Sequence, residues 1–268
     1  MEISGSELEL RKGQGLGKGP GIRLTERDFD LLAFLHDQSF SSLSGLYYRF
    51  FDRRKNSTDP LPKNLWVTRQ RVACLRQAGL IASQRVFSDP QALYLLTREG
   101  YQVLEARREL GLYVEPSAAI DFRYFEHDRR VNLCRIALER SGKCLKWYPD
   151  RFLRKKRAYP YGENGWVKFP QAAIPDGVFI SSKGERVAIE LELTPKKRER
   201  TIEKCRHYKR LFLSAGDSGP SLHRVLWIAS TPRIGRDLER VLGGEPCFTL
   251  YSFESLVGGT LGREALSL

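Results

Sequence analysis

Two segments decide the fold of this chain: Ile174-Pro-Asp-Gly-Val-Phe-Ile180 and Val187-Ala-Ile-Glu-Leu-Glu-Leu-Thr194. Both are apolar runs bounded by turn residues, and together they predict a β-hairpin. Because side chains alternate between the two faces of a strand, Glu190 and Glu192 share one face, and their Cα atoms lie about 6–7 Å apart. Asp176 stands at the mouth of the neighbouring strand. The sequence therefore predicts that Asp176, Glu190 and Glu192 converge.

Three converging carboxylates indicate a metal site. Clustered carboxylates are costly in their ionised form unless a cation neutralises them. Oxygen ligands suit a hard ion such as Mg²⁺ or Mn²⁺, so the pattern predicts a metal-dependent site that cuts phosphodiesters. His127 stands beside Glu126 and Asp128 at the start of a helix. It is a candidate catalytic residue that orients a metal ligand or a water, and the alternative is a capping or partly exposed histidine.

The charge balance indicates a polyanionic partner. The chain has 268 residues, with 45 Lys and Arg against 32 Asp and Glu, and a net charge of +13. Nucleic acid is the first partner that this charge predicts, and an anionic membrane surface is the second. No apolar run reaches the roughly 18–20 residues that span a bilayer, and residues 1–21 lack the apolar core of a signal peptide.

The five cysteines are scattered, and no Cys-x-x-Cys pair is present. A structural zinc site is therefore not expected. Most of the cysteines lie in apolar periodic segments, which favours buried thiols in a reducing cytoplasm. The sequence thus predicts a cytoplasmic protein without a membrane partner.

Element order divides the chain into two domains. We expect a flexible arm over residues 1–22, a winged helix-turn-helix over 23–112, a linker over 113–122, an α/β (α+β) domain over 123–256 and a tail over 257–268. In the first domain, three helices precede a hairpin. The third helix, from Leu65 to Ala78, carries Arg69, Gln70 and Arg76 on one face, a combination suited to base edges in the major groove. The alternative is an ordinary solvated face.

The second domain reads as helix, three strands, helix, strand, helix and strand, which predicts a mixed sheet flanked by helices. One of these strands is expected over 151–156. Two basic groups are expected to neutralise DNA phosphates, with solvated surface charge as the alternative. They are Arg154, Lys155, Lys156 and Arg157, and Lys196, Lys197 and Arg200.

These residues carry a family likeness. Pro175-Asp176 followed by Glu190-x-Glu192, within this element order, resembles the PD-(D/E)xK restriction-endonuclease-like fold. Together with Leu24-Thr25, the segment Leu93–Gly100 and His127, it makes the chain similar to the replication-relaxation family, which includes the MobC-type (MOBC) relaxases of mobilisable plasmids. The likeness runs from roughly residue 24 to residue 251.

The resemblance implies metal-dependent nicking of double-stranded DNA at a transfer or replication origin. Asp176, Glu190 and Glu192 would form the acidic triad, and other mobilisation or replication proteins would be partners. The chain departs from the consensus at Glu192, where a lysine is usual; Lys196 and Lys197 are nearby sources of positive charge. The nucleophile is either water or a tyrosine, for which Tyr148, Tyr159, Tyr161 and Tyr208 are available.

Two alternatives remain. The protein could be a catalytically inactive DNA-binding accessory or regulatory protein of plasmid mobilisation or replication, or a nuclease that cuts unrelated DNA equally well. Phe152, beside the basic run, is a possible stacking platform for single-stranded DNA. The sequence predicts no oligomeric state and no target site.

Overall fold

The structure, a computed structural model, describes residues 22–52, 65–86, 89–107, 115–116, 119–161, 165–213, 215–216 and 219–261. It is a mixed α/β protein whose chain divides into two compact units, and the second unit takes over from the first between Phe122 and Arg123. The predicted arm lies outside the described residues except for its last position, as do positions 113, 114, 117 and 118 of the predicted linker. Within the described residues, no helix has the length and apolar character needed to cross a membrane.

The first unit contains four α-helices and a three-stranded sheet in the order β1-β3-β2, antiparallel throughout. Its elements are α1 (Glu26–Gln38), β1 (Ser41–Ser42), α2 (Leu43–Leu46) with a π-helical turn (Tyr47–Phe51), α3 (Trp66–Gln77), β2 (Ile81–Val86), β3 (Asp89–Leu96) and α4 (Arg98–Arg107).

A buried ion pair joins α1 to α3. α1 begins at a capping box, in which the carboxylate of Asp28 accepts a hydrogen bond from the backbone N–H of Thr25 at 2.7 Å. The same carboxylate accepts hydrogen bonds from Arg71 Nε at 2.7 Å and Nη2 at 2.5 Å. Asp28 is buried. Its charge therefore fixes the position of α3 against α1.

The orientation of α3 leaves the predicted DNA-contacting face free. Val72 and Leu75 are buried in the core, whereas Arg69, Gln70 and Arg76 are exposed. The helix ends where predicted, at a glycine, since Gly79 adopts a φ of 75° that other residues rarely take. The exposed face also includes two apolar side chains at the start of α3 that the sequence did not single out, Trp66 and Val67.

The second unit is built on a five-stranded sheet in the order β12-β11-β8-β7-β4. Its elements are α5 (Phe125–Arg140), β4 (Cys144–Pro149), α6 (Asp150–Lys156), β5 (Ala158–Tyr161), β6 (Gly165–Lys168), a 3₁₀ turn (Gln171–Ala173), β7 (Gly177–Ser181), β8 (Arg186–Glu192), α7 (Arg198–Leu213), β9 (Ala215–Gly216), β10 (Gly219–Pro220), β11 (Arg224–Ala229), α8 (Pro232–Leu242), β12 (Phe248–Ser252), a π-helical turn (Glu254–Gly258) and α9 (Gly259–Leu261).

The sheet is mixed, as predicted. β7 pairs antiparallel with both β4 and β8, whereas β8, β11 and β12 run parallel to one another. The hairpin predicted from the first two segments is β7–β8. β8 is buried along nearly its whole length, which is typical of a central strand covered by helices. One core cluster joins Val178 and Ala188 of the hairpin to Tyr208 of α7 and Leu238 of α8.

The structure differs from the sequence prediction at residues 151–156, which form the helix α6 rather than a strand. Pro149 at the N-cap fixes an extended entry, and Asp150 pairs with Arg154 one helical turn later at 3.0 Å. Four basic side chains then face solvent. In the sequence, the basic residues around Phe152 resemble the alternating pattern of a strand, but in the structure they are exposed positions on and just after a helix.

One further expectation needs correction. The predicted tail begins inside the second unit, because Val257 and Leu261 are buried and the turn that contains Val257 packs against α5. The prediction for the cysteines is confirmed in that most of them, Cys134, Cys144 and Cys205, are buried, whereas Cys74 is exposed. Cys74 lies on the exposed face of α3, on the same side of the helix as Gln70 and Gln77, so its thiol contacts solvent.

Candidate active site

Asp176 and Glu190 come together at one end of the β7–β8 pair. Gly177 pairs with Ile189 in the register of the hairpin, and the Asp176 N–H donates to the Ile189 carbonyl at 3.0 Å. Asp176 immediately precedes the first paired residue of β7. Asp176 Oδ2 also accepts a hydrogen bond from the Leu191 N–H at 2.8 Å. Both carboxylates are buried, and so is the apolar face of β8, because helices cover this central strand.

Close packing against Trp147 explains the glycine at position 177. A Cβ on Gly177 would lie 2.5 Å from the indole ring of Trp147. Trp147 in turn stacks on Phe179, with ring centroids 6.2 Å apart. The Pro-Asp-Gly sequence thus allows β7 to approach β4 closely and sets Asp176 at the start of the strand.

Glu190 is held by two side chains of α7. Lys204 Nζ lies 2.5 Å from Glu190 Oε2, and the hydroxyl of Tyr208 donates a hydrogen bond to Oε1. Lys204 and Tyr208 are four residues apart and therefore lie on the same side of the helix. Lys204 was not predicted to belong to this site. The sequence feature that could have indicated its role is its position beside the residues of α7 that are buried, namely Thr201, Cys205 and Tyr208.

The environment of Glu190 alters its acidity. Burial raises the pKa of this carboxyl to about 7, even though Lys204 and Tyr208 favour the charged form. Burial opposes the charge of Lys204, but the attraction of Glu190 and Asp176 outweighs it and raises the pKa of the ammonium group. Glu190 is thus a carboxyl that gains and loses a proton near neutral pH, beside a permanent cation.

His127 belongs to the same cluster. Its Nε2 lies 3.2 Å from Asp176 Oδ2, and its Nδ1 lies 3.3 Å from Asp128 Oδ1. Burial disfavours the imidazolium, but the attraction of Asp176 and the hydrogen bonds to both carboxylates raise the pKa of His127 to about 10. The same pairing outweighs the burial of Asp176 and lowers its pKa to about 2. His127 is therefore a cation that orients Asp176, rather than a helix cap.

More acidic and basic groups surround this pair. Burial raises the pKa of Asp150, and the negative charges of Asp128 and Asp176 add to the effect. Arg154 Nε donates to Asp150 Oδ2 at 3.0 Å. Burial disfavours the charge of Arg154, yet its bond to Asp150 and the attraction of the other two carboxylates raise its pKa. The cluster thus extends from β8 to the first turn of α6.

Glu192 has different partners, although it shares a face of β8 with Glu190. Lys196 Nζ lies 2.8 Å from its Oε1 and 2.7 Å from its Oε2. Only the contact with Oε1 has hydrogen-bond geometry, so the buried Oε2 lacks a hydrogen-bond donor. Across the described part of the chain, no three His, Cys, Asp or Glu side chains are arranged to hold a metal ion. The structure thus brings Asp176, Glu190 and His127 together, whereas Glu192 pairs with Lys196 and acts on Lys204 only through its charge.

No known family or protein matches this chain. Comparison with protein-family models, with curated proteins and with solved structures gave no match. The functional argument for this chain therefore depends on its own residues.

The tyrosines that the sequence offered as nucleophiles are poorly placed for attack. Tyr148, Tyr159 and Tyr208 are buried, and burial together with the negative charge of Glu190 raises the pKa of Tyr208 well above its ordinary value. The side chain of Tyr161 lies outside the described residues. A protonated, buried phenol is a weak nucleophile, so these positions favour water.

The residues predicted to contact DNA lie at the surface. On α3 they are exposed in the first unit, and in the second unit they occupy two regions around α6 and the start of α7. Arg154 is partly engaged with Asp150, and Lys196 with Glu192. The exposed members are Arg69, Gln70, Arg76, Arg154, Lys155, Lys156, Arg157, Lys196, Lys197 and Arg200.

Proposed function

We propose that this protein is a DNA-binding, metal-dependent endonuclease, a relaxase-type nickase that acts at a plasmid or mobile-element origin. One observation carries the proposal: the carboxylate of Asp176 accepts a hydrogen bond from the Leu191 N–H, next to the buried Glu190, whose own carboxylate is bonded to Lys204. Two acids and a cation at one end of a buried hairpin suit the hydrolysis of a phosphodiester. In such a reaction, negative charge develops on the phosphate oxygens and a nucleophile must lose a proton.

Lys204 offsets the departure from the nuclease consensus. The resemblance places a lysine two residues after the second acid, where this chain has Glu192. Lys204 supplies an ammonium group to the same carboxylate from α7, with its Nζ 2.5 Å from Glu190 Oε2. We infer that Lys204 stabilises the charge of the scissile phosphate, and that Glu192 takes no part in this step.

The donor set at the site fits Mg²⁺ or Mn²⁺ in kind, because both buried acids offer only oxygen. Asp176 and Glu190 would hold the ion. Two carboxylates suffice, since Mg²⁺ is commonly bound through one or two carboxylates together with water and substrate phosphates. When bound, the ion supplies positive charge to the phosphate and lowers the pKa of a bound water.

Glu190 would accept a proton, and His127 would orient Asp176. A carboxyl with a pKa of about 7 can accept a proton from an attacking water at neutral pH. The His127 imidazolium holds Asp176 through a 3.2 Å contact and keeps that carboxylate ionised. His127 would thus position an acidic residue rather than act as a base.

Exposed basic residues in both units support the same assignment. The exposed Arg69 and Gln70 of α3 carry side chains that read base edges, and basic residues around α6 and α7 would neutralise phosphates. Helices followed by a hairpin in the first unit fit a winged helix-turn-helix. The element order of the second unit fits a PD-(D/E)xK domain.

The test is nicking of supercoiled plasmid DNA that carries the origin, with Mn²⁺ or Mg²⁺ added. We expect open circles from the wild type, none from Glu190→Gln, and wild-type activity from Glu203→Gln, which makes the same change at an exposed position of α7. Equal cutting of a plasmid without the origin would indicate a nuclease of general specificity. Open circles from Glu190→Gln would refute the site.

A second function is favoured by the charge balance of the cluster. His127 and Lys204 already compensate Asp176 and Glu190, so the cluster is electrostatically satisfied without an added ion. That arrangement suits an accessory or regulatory protein whose second domain has lost its chemistry. Origin binding that persists in EDTA, with no open circles from the wild type at any Mn²⁺ concentration, would establish this alternative.

A further inference from the structure

A cavity of about 430 Å³ lies beside Glu192, at the carboxyl end of β8. The start of α7 and one side of α8 complete its wall. The ends of parallel strands are where open α/β sheets commonly bind ligands, and this volume falls within the range of small-molecule sites. All of its lining residues belong to the second unit.

Glu192 gives the cavity an unmet hydrogen-bond acceptor. The residue is 2% exposed, and its Oε2 is buried; Lys196 Nζ lies 2.7 Å from this atom but outside hydrogen-bond geometry, so Oε2 has no hydrogen-bond donor. A buried acceptor that lacks a partner costs free energy, so such atoms usually mark a bound group or a functional role. A ligand with an N–H group at this point would satisfy Oε2.

The rest of the lining is divided by polarity. Ile234 and Leu238 are buried and present an apolar wall. Lys196, Arg198 and Arg240 are exposed and supply positive charge where the cavity meets solvent. Arg240 pairs with Asp237 of the same lining at 3.1 Å and Lys196 pairs with Glu192, so Arg198 carries the net charge of the rim. The ligand that matches this arrangement has a flat apolar body, an N–H donor at its inner edge and an anionic group at its outer end. A nucleotide has these three features.

We propose that this cavity binds an unstacked nucleobase through Glu192, with the attached phosphate at the basic rim. The inference rests on the proposed function in that the base would belong to the DNA target. Guanine fits best, because its adjacent ring N–H and amino group both donate. Thymine fits worst, since its single N–H is flanked by two carbonyl oxygens that a carboxylate repels. The cavity would thus read one base of the target strand.

The first test uses mononucleotides without a divalent metal, so its result does not depend on cleavage. We expect dGMP to bind more tightly than dTMP, and more tightly than deoxyguanosine, which lacks the phosphate. Glu192→Gln should weaken dGMP binding by at least about tenfold, the loss expected for a hydrogen bond to a charged acceptor. Isothermal calorimetry measures all of these constants.

The matched control is Glu203→Gln, which removes the same carboxylate from an exposed position on α7 outside the cavity lining. It should leave dGMP binding unchanged. Equal binding of dGMP and dTMP, absence of dGMP binding, or equal binding by wild type and Glu192→Gln would each overturn the proposal. Nicking that survives such a result would show that the proposed function stands without it.

The second test separates a free nucleotide from a base in DNA. A single-stranded oligonucleotide with one 6-methylisoxanthopterin, a fluorescent guanine analogue that keeps the ring N–H and the amino group, brightens when that base leaves its stack. The lining that the structure describes contains no aromatic side chain to quench it. We expect brightening with the wild type and not with Glu192→Gln. Binding of dGMP without brightening would mean that the cavity takes free nucleotides, and would overturn the DNA assignment.

Discussion

Lys204 reaches Glu190 across fourteen positions of sequence, and its Nζ lies 2.5 Å from Glu190 Oε2. The contact joins the central strand β8 to α7 and determines the charge at the end of the β7–β8 hairpin. Because Glu190 is fully enclosed, its charge depends on this neighbour. The pair is therefore central both to the stability of the second unit and to the proposed chemistry.

Lys204→Met should destabilise the protein in a pH-dependent way. Burial already raises the pKa of Glu190 to about 7, and loss of the ammonium group raises it further. A raised carboxyl pKa means that charging the group costs stability as pH increases. We expect a loss of about 3 kcal/mol at pH 8. At pH 5 the loss should be smaller, because Glu190 is then protonated in both proteins.

Urea unfolding at the two pH values measures this difference. Lys209→Met is the control on the same helix, since its partner Glu245 is exposed and the pair lies outside the cluster. It should change stability little at either pH. An equal loss for Lys204→Met at pH 5 and pH 8 would show that Glu190 is not the group that Lys204 stabilises.

His127 should remain an imidazolium at neutral pH. Burial lowers its pKa, but Asp176 and Asp128 raise it to about 10, well above the ordinary 6.5. Its stabilising contribution is therefore complete below pH 6.5 and is lost as pH rises from 6.5 through 10. The contribution of Asp176, whose pKa is lowered to about 2, is present above pH 3.8 and is lost as pH falls toward 2.

NMR titration of the histidine ring protons tests this assignment. His127 should show no titration between pH 5 and 8, whereas His223, whose pKa is lowered by burial and by Arg186, should titrate below 6.5. The stability gap between wild type and His127→Gln should be widest at pH 4–6.5 and should narrow toward pH 10. A His127 midpoint near 6.5 would contradict the ion pair with Asp176.

The hairpin could be predicted from sequence because its information is local. Alternating apolar and acidic residues over 187–194 place Glu190 on a defined face, and a neighbouring apolar run pairs with it. Lys204 could not be assigned in this way. It is one of many basic residues on α7, and only packing of the Thr201–Cys205–Tyr208 stripe against the sheet selects it. Its role therefore depends on tertiary contacts.

α6 shows the opposite failure, in which a local pattern misled. Basic residues around Phe152 imitate the alternation of a strand, yet Asp150 and Arg154 lie one helical turn apart and pair at 3.0 Å. The same limit applies to Glu192. Its strand face was predictable, but the orientation of its carboxylate toward Lys196 follows from where β8 ends and α7 begins.

Gly177→Ala should destabilise the second unit because of Trp147. A Cβ at this position would lie 2.5 Å from the indole, so β7 and β4 would have to separate. Overpacking of this kind costs about 1–3 kcal/mol. Trp147→Phe should relieve the clash, so the double variant should be more stable than the sum of the two single changes implies. Additive losses in urea unfolding would exclude this contact as the reason for the glycine.

Arg71 and Arg69 should separate stability from DNA binding within α3. Arg71→Met leaves the buried Asp28 without its partner, and we expect unfolding to become easier by about 3 kcal/mol. Arg69 is exposed, so Arg69→Met should keep the stability within about 0.5 kcal/mol. If Arg69 contacts a phosphate, Arg69→Met should also lower the slope of log affinity for DNA against log salt by about 0.9. Unchanged affinity for the origin after Arg69→Met would remove this face of α3 from the DNA interface.

Trp166 should contribute to single-stranded DNA binding. It is 49% exposed and stacks on Phe152 of α6, with ring centroids 6.3 Å apart and planes 16° from parallel. The exposed charges of Lys155 and Lys156 lie on the same short helix as Phe152. A base stacked on an aromatic side chain contributes about 1–3 kcal/mol, so Trp166→Ala should weaken binding of an oligo(dT) strand by about fivefold to over a hundredfold.

Trp166→Phe should restore most of the affinity because a flat ring remains. Leu145→Ala, at an exposed apolar residue of β4, is the control and should have no effect. Equal affinities for Trp166→Ala and wild type in fluorescence anisotropy would limit the contribution of this region to its charges.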